Sequence, residues 1–285
     1  MELPPLLLLF YAMFFPACAW LVYYSWRIEP HNIEITRHEV TFSDLPEALD
    51  GLVLCQVSDV HLTAWERNGE AISRAVKSTR ADLYLFTGDM IHRQGGIEKF
   101  LNWFDDLGIS SAIAVLGNAE HKSHVDKSPL EAGLAQRSIP LLTNKSLTWL
   151  HDGVEFQIVG VDDPHTDHDD FELAYQNTNP ALWTLLLCHS PDGAANLNGH
   201  RADLMLCGHT HGGQVRFPIV GAIAQNTKRV RGLVSGWYEG NELSRKAKCE
   251  TGSTKLYISR GLGMSRWGFR INCRPELAVF ILRRQ

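Results

Sequence analysis

The sequence predicts an α/β fold behind a single N-terminal membrane helix, on three observations. Five short apolar runs each end in Asp, Asn or His. Helix-period apolar stripes lie between some of them, which makes βαβ units with both sheet faces covered. A long segment without charge precedes them all.

That segment, Leu3 to Tyr24, reads LPPLLLLFYAMFFPACAWLVYY. At ~1.5 Å rise per residue it reaches ~33 Å as a helix, enough for a hydrocarbon core of ~30 Å. Tyr11, Trp20, Tyr23, Tyr24 and Trp26 cluster mostly at its distal end, where aromatic rings favour the membrane interface. Two other readings compete. Ala17-Cys18-Ala19 has the small-x-small look of a signal-peptide cleavage site, but only Glu2 precedes the apolar run where a positive region is wanted. A buried core helix would need a polar face for solvent, and none exists. Pro4, Pro5 and Pro16 permit a kinked or shallowly inserted helix. Residues 1–28 are therefore expected to anchor residues 29–285. Arg27 and Arg37 follow the segment, so the positive-inside rule leans towards a cytoplasmic body on the inner (cytoplasmic) membrane.

Composition narrows the class of the body. Of 285 residues, 45% are hydrophobic and 21% charged, enough for a full core and against disorder, collagen or coiled coil. A net charge of -5 gives no global attraction to nucleic acid. The six cysteines form no CxxC pair, which argues against a zinc ribbon or a disulfide scaffold and agrees with a reducing compartment. Thirteen histidines invite a search for metal ligands or proton carriers.

The five runs supply the candidates. Leu52–Val57 leads to Ser58, Asp59, Val60 and His61; Leu83–Phe86 leads to Thr87, Gly88 and Asp89. Ala112–Leu116 leads to Gly117 and Asn118, and Leu182–Cys188 leads directly to His189. Leu204–Cys207 leads to Gly208, His209, Thr210 and His211. Runs this apolar suit strands buried on both faces. Between them, Ala71, Ile72, Ala75 and Val76 form one helical stripe, and Ile97, Phe100, Leu101, Phe104 and Leu107 another. In α/β sheets, ligands bind beyond the carboxyl ends of the strands. Any one of these residues alone reads as a turn, a helix cap or a core histidine. Their convergence in this order is the signal.

Imidazole with carboxylate suits Mn, Fe or Zn, and three or four protein ligands per metal leave room for water. Two such metals ~3.5–4 Å apart can share a carboxylate and clamp a phosphate under attack. Asp89 is the natural bridge.

In these blocks (D-x-H, G-D, G-N-x-[ED], H, G-H-x-H) the sequence resembles the calcineurin-like metallophosphoesterases. The likeness runs from Asp59 to His211 and on through GHTHGGQVRFP (208–218), KLYISRGLG (255–263) and NCRPE (272–276). Those segments are similar to the bacterial membrane-associated phosphodiesterase branch, which includes enzymes that split UDP-diacylglucosamine. The resemblance implies a four-layer αββα sandwich of two mixed sheets over residues 29–285, with a dinuclear centre at the strand ends. It implies Asp59, His61, Asp89 and His211 on one metal, and Asp89, Asn118, His189 and His209 on the other. It also implies a hydroxide between the metals that attacks phosphorus in line with the leaving oxygen. Mn is the first choice of metal, with Fe or Zn as alternatives, because no thiolate is offered.

One position departs from the pattern. Many relatives carry G-N-H-[DE], whose histidine protonates the leaving group; here the block is Gly117, Asn118, Ala119, Glu120 and His121. Alanine cannot donate a proton. His121 is the candidate replacement; otherwise a good leaving group, such as a nucleoside phosphate, would need little acid help.

Basic and aromatic residues crowd the C-terminal third. Arg216, Arg266 and Arg270 are the candidate substrate contacts, with Ser265–Arg270 as a candidate lipid-facing loop. His165 and His168 read equally well as accessory site residues or as turn residues. The expectation is a membrane-anchored phosphohydrolase acting on a phosphate-ester small molecule or a lipid-linked substrate, without nucleic acid or an obligate protein partner. A non-catalytic metal-binding scaffold and a soluble-substrate nucleotide phosphodiesterase are the rival readings.

Overall fold

The computed structural model describes residues 4–62, 68–265 and 268–285. Helix α1 (Pro5–Tyr23) stands clear of the body, with none of its residues buried. It runs on through a wide turn at Tyr24–Ile28 and a tight one at Glu29–His31. That end is seated. Ser25, Glu29 and Pro30 are buried, the Arg270 amide donates to Ser25 O (2.9 Å), and Asn68 Nδ2 donates to Pro30 O (3.1 Å).

The body follows in chain order as β1 (Glu34–Phe42), β2 (Val53–Val57), α2 (Gly69–Ser78), β3 (Leu83–Thr87), α3 (Ile97–Leu107), β4 (Ala112–Val115) and α4 (Ser128–Gln136). Next come β5 (Lys145–His151), β6 (Val154–Val161), α5 (Phe171–Tyr175), β7 (Thr184–Cys188) and β8 (Leu204–Cys207). The chain ends with β9 (Arg216–Phe217), β10 (Gly221–Ala222), β11 (Gly236–Glu239), α6 (Gly240–Ala247), β12 (Lys255–Ile258) and β13 (Glu276–Arg284).

Two mixed sheets result. One has the order β1-β13-β2-β3-β4 and is parallel except where β13 meets β2. The other has the order β11-β12-β8-β7-β6-β5, with antiparallel pairs at its two edges. A short β9–β10 hairpin stands apart from both.

Alternation explains why the predicted strands are apolar throughout. Leu54, Leu83, Leu85, Ile113 and Val115 meet Leu185, Leu187, Leu204 and Leu206 between the two sheets. The intervening Cys55, Val57, Tyr84 and Phe86 pack instead under α2, α3 and α4. On the far sheet, Leu186, Cys188, Met205 and Cys207 pack with Phe171 and Ala174 of α5 and Leu243 and Ala247 of α6. Layers of helix, sheet, sheet and helix follow, as the αββα expectation requires. Each fully buried leucine contributes about 1.5–3 kcal/mol to holding the layers together.

Candidate metal centre

The strand ends converge because the chain turns sharply there. Asp59, His61, Asp89, His209 and His211 all hold positive φ, between 49° and 69°. Non-glycine residues rarely adopt this backbone, and strain of this kind concentrates at functional sites. Each turn lifts a side chain out of the sheet plane towards its neighbours. Gly88 (φ +85°) makes room for them, since a Cβ there would strike the His189 ring.

The two sheets are joined at this point. Gln56 Nε2 donates to Thr87 Oγ1 (2.9 Å) and, across the sandwich, to Cys207 O (2.9 Å). The His209 amide donates to Asp59 (3.0 Å), and Ser58 Oγ donates to the same carboxylate (2.6 Å). Glu120, at the end of the G-N-x-E block, accepts from the amides of Asp89, Ile91 and Gly117. It thereby fixes the Gly88-Asp89 and Gly117-Asn118 loops to each other. Burial, then the Asp89 charge, push its carboxyl up to about 8.

Within this frame the donor atoms face one another. The ligand atoms of Asp59, His61 and His211 lie within 4.8 Å of each other, and so do those of Asp59, Asp89 and His189. His61 Nε2 is 3.0 Å from His211 Nε2. Asp89 turns Oδ2 towards His61 (3.3 Å) and Oδ1 towards His189 (3.4 Å). His209 Nδ1 lies 3.3 Å from His189 Nε2. The buried Asn118 Oδ1 has no hydrogen-bond partner.

Outer partners orient the rings. His189 Nδ1–H donates to Thr87 O (2.7 Å), which leaves Nε2 as the nitrogen that faces inward. His209 Nε2 is held by Asn226, 2.8 Å from its carbonyl oxygen and 3.0 Å from its Nδ2, which leaves Nδ1 inward. Such bonds orient metal-binding imidazoles.

Burial lowers His61 to about 4 and His209 to about 3, and it holds His211 well below the usual imidazole range. All three are neutral at pH 7, as ligation requires. His189 goes the other way. Burial opposes its charge, but Asp89, Asp59 and Asp163 outweigh that and hold it well above the usual range. Burial also lifts Asp59 to about 6. Facing imidazole nitrogens, shared carboxylates and an orphaned amide oxygen form a donor set that fits divalent cations.

A cavity of about 550 Å³ opens over these atoms. His61, Asp89, Asn118, His209 and His211 line it, with His92, Lys122, Gln214, Asn226 and Ser265. His92 and Lys122 were not singled out from sequence; each lies a few residues beyond an apolar run's terminal motif. Lys122 Nζ donates to His92 O (3.1 Å).

The other expected site residues do not line this cavity. His121 is not on the cavity wall; its Nε2 pairs with Asp162 Oδ1 (2.6 Å), and its ring stacks on His168 at 3.8 Å. Arg270 is fully buried and off the cavity wall; it donates to the carbonyls of Arg260, Gly261, Gly263 and Cys273, and its Nη2 lies 3.4 Å from Nδ1 of the candidate ligand His211, which it braces from behind. Arg216 donates to Gly212 O and Ser235 Oγ and faces a neighbouring cleft. Arg266 lies outside the described residues. His165 packs on the ring of the candidate ligand His209 at 4.3 Å.

The profile of the calcineurin-like phosphoesterase family matches residues 52–213. The Bacillus subtilis uncharacterized metallophosphoesterase YkuE is 31% identical over 273 residues, covering 91% of this chain and 89% of that protein. The phosphodiesterase YaeI of Escherichia coli is 28% identical, covering 91% and 92%. The UDP-2,3-diacylglucosamine pyrophosphatase LpxG of Chlamydia muridarum is 27% identical, covering 93% of each. With the family match spanning more than half its length, this chain belongs to the calcineurin-like phosphoesterases and is a hydrolase with a donor set for divalent metal.

Proposed function

We propose that the protein is a membrane-anchored phosphohydrolase that cleaves a phosphodiester or pyrophosphate bond of a lipid-linked substrate. Residues 1–28 serve as the anchor and 29–285 as the catalytic domain. The observation that carries the reading is the meeting of inward-facing imidazole and carboxylate atoms at the strand ends. In this reading Asp59, His61, Asp89 and His211 hold one divalent ion, and Asp89, Asn118, His189 and His209 hold a second. Mn²⁺ is the preferred ion, with Fe or Zn as alternatives. Asp89 is the shared ligand because its two oxygens face different histidines. Two bound cations supply Lewis-acid charge and a water activated at neutral pH.

The chain's own contribution is placement. Neutral His61, His209 and His211 keep their lone pairs available. Ala119 gives up an imidazole, yet its amide still donates to Asp89 Oδ1 (2.6 Å), so the ligand loop is intact. Lys122, on the cavity wall, is suited to hold charge on the phosphoryl or leaving oxygen. The lipid-linked substrate draws support from the uncovered α1 and from the pyrophosphatase relative.

The test compares a UDP-diacylglucosamine lipid in mixed micelles with a water-soluble nucleotide pyrophosphate, using the purified full chain and Mn²⁺. We expect kcat/KM at least about tenfold higher on the lipid, the size of effect that remote binding energy supplies. Equal or faster turnover of the soluble compound would refute the lipid assignment and favour a nucleotide phosphodiesterase.

A further inference from the structure

Beyond the anchor region, the large apolar side chains that reach solvent are clustered. Among the described residues there are seven from residue 32 onwards, and four of them are Phe217, Ile219, Val220 and Ile223. All four belong to the β9–β10 hairpin or the residue after it. Ile219 is fully exposed and Val220 is 76% exposed. Ile219 also holds φ 75°, a backbone that β-branched residues strongly disfavour. A strained, bare isoleucine at a loop tip serves no packing purpose within the chain.

The hairpin's root is bonded to the segment that seats α1. The Arg216 amide donates to Ile271 O (2.9 Å), and the Ile271 amide donates to Gln214 O (3.0 Å). The preceding residue, Arg270, donates its amide to Ser25 O at the base of α1. One segment therefore seats both apolar projections. On its return, the chain enters the cavity: Ala224 and Asn226 line it, and Asn226 holds the outer nitrogen of His209.

We propose that the β9–β10 hairpin is a second lipid-contacting element, with its tip in the bilayer that receives α1. The hairpin holds the mouth of the metal cavity against the headgroup layer, so that a phosphate reaches the donor atoms while its acyl chains stay in the membrane. This rests on the reading of α1 as an anchor. A lipid surface is favoured over a second copy of the chain for two reasons. The hairpin's root shares the 270–271 segment with the base of α1, and a few tip side chains fall well short of the ~1,200 Å² that a stable protein interface buries.

The experiment labels single thiols of the full chain with an environment-sensitive fluorophore in vesicles of phosphatidylethanolamine and phosphatidylglycerol. Cys18 and Cys249 are the two cysteines not buried. One variant is C249S, which reports from Cys18 in α1. The others are C18S/C249S carrying I219C, V220C or L150C; Leu150 is an exposed residue beside the β5–β6 turn, at the opposite end of its sheet from the cavity. Doxyl lipid should quench labels at 219 and 220 to within about twofold of Cys18, as expected for a tip ~5–10 Å into the interface, while iodide quenches only the label at 150. If Cys18 is quenched by lipid but 219 and 220 by iodide, the proposal is overturned and the anchor stands. Shielding of 219 and 220 from both quenchers means a protein cover such as a second copy, and also overturns it. Iodide quenching of Cys18 itself removes the anchor reading, and the proposal with it.

Discussion

Asp89 is the residue on which the site turns. Its oxygens face His61 and His189, and Ala119 and Glu120 fix its loop. Asp89→Ala should remove the shared ligand, release both metals and lower kcat by at least about 10³, measured by metal analysis and initial rates. His121→Ala tests a different point. Its pair with Asp162 is buried and off the cavity wall, so the variant should lose about 1–3 kcal/mol of stability while kcat/KM stays within a few-fold. Lys122→Gln should show the reverse, an intact melting curve with kcat/KM down about 10- to 100-fold. His189 adds a pH dependence. The Asp89, Asp59 and Asp163 charges hold its proton above the usual range, and that proton must leave when a metal binds. Metal affinity should therefore weaken as pH falls, by about tenfold per unit while His189 is protonated, in a calorimetric titration against pH. An affinity independent of pH would contradict His189 as a ligand.

At the scale of elements, one buried carboxylate ties the loop after β7 to the strap that carries Asn226. Asp192 accepts from the amides of Lys228 (3.0 Å), Arg229 (2.7 Å) and Val230 (3.1 Å). Burial alone would raise its pKa, but the His165 contact and these three amides outweigh it and hold the group well below the usual carboxylate range. Its folded value is depressed, so the stabilisation is complete above the unfolded value of ~3.9 and disappears as pH falls through the folded one. Asp192→Asn should cost about 1–3 kcal/mol at pH 7, and the gap from the parent chain should narrow below about pH 4 in denaturant melts. A gap that stays constant into acid would contradict this role.

The same scale shows what could be read in advance. β2, β3, β4, β7 and β8 are buried on both faces, so runs apolar almost throughout mark them to within a residue or two. β1 and β5 lie at sheet edges, are largely polar and only partly buried, and so give a weaker signal. The terminal pairing of β1 with β13 joins residues 34–42 to 276–284, a contact that no local pattern announces. For the site, a place at a strand end brings the Asp, Asn and His side chains named from the five runs to one end of the sandwich, whereas Asp162, at the end of β6, pairs with His121 off the cavity wall. His121, Arg216 and Arg270 fall outside that logic, because a long side chain in a loop points wherever partners are found. Arg270 found four carbonyls and the outer nitrogen of His211, and His121 found Asp162.

At the scale of the whole molecule, the base of α1 and the metal loop share one seat. Cys273 Sγ donates to His211 O (3.2 Å), and the Cys273 amide donates to Glu29 in the turn below α1. The helix above is bare along its length, so the reading of an anchored enzyme requires the full chain to float with lipid vesicles and to resist alkaline extraction. The central claim, however, is chemical: the strand-end cluster is a two-metal hydrolytic site. The most direct measurement is metal stoichiometry together with Mn²⁺-dependent hydrolysis of an activated phosphodiester by the full chain, beside Asp89→Ala. The account predicts two ions per chain and turnover that follows their occupancy, both lost in the variant. Two bound ions with no turnover would mark a scaffold, and full turnover by the variant would mean the chemistry lies elsewhere.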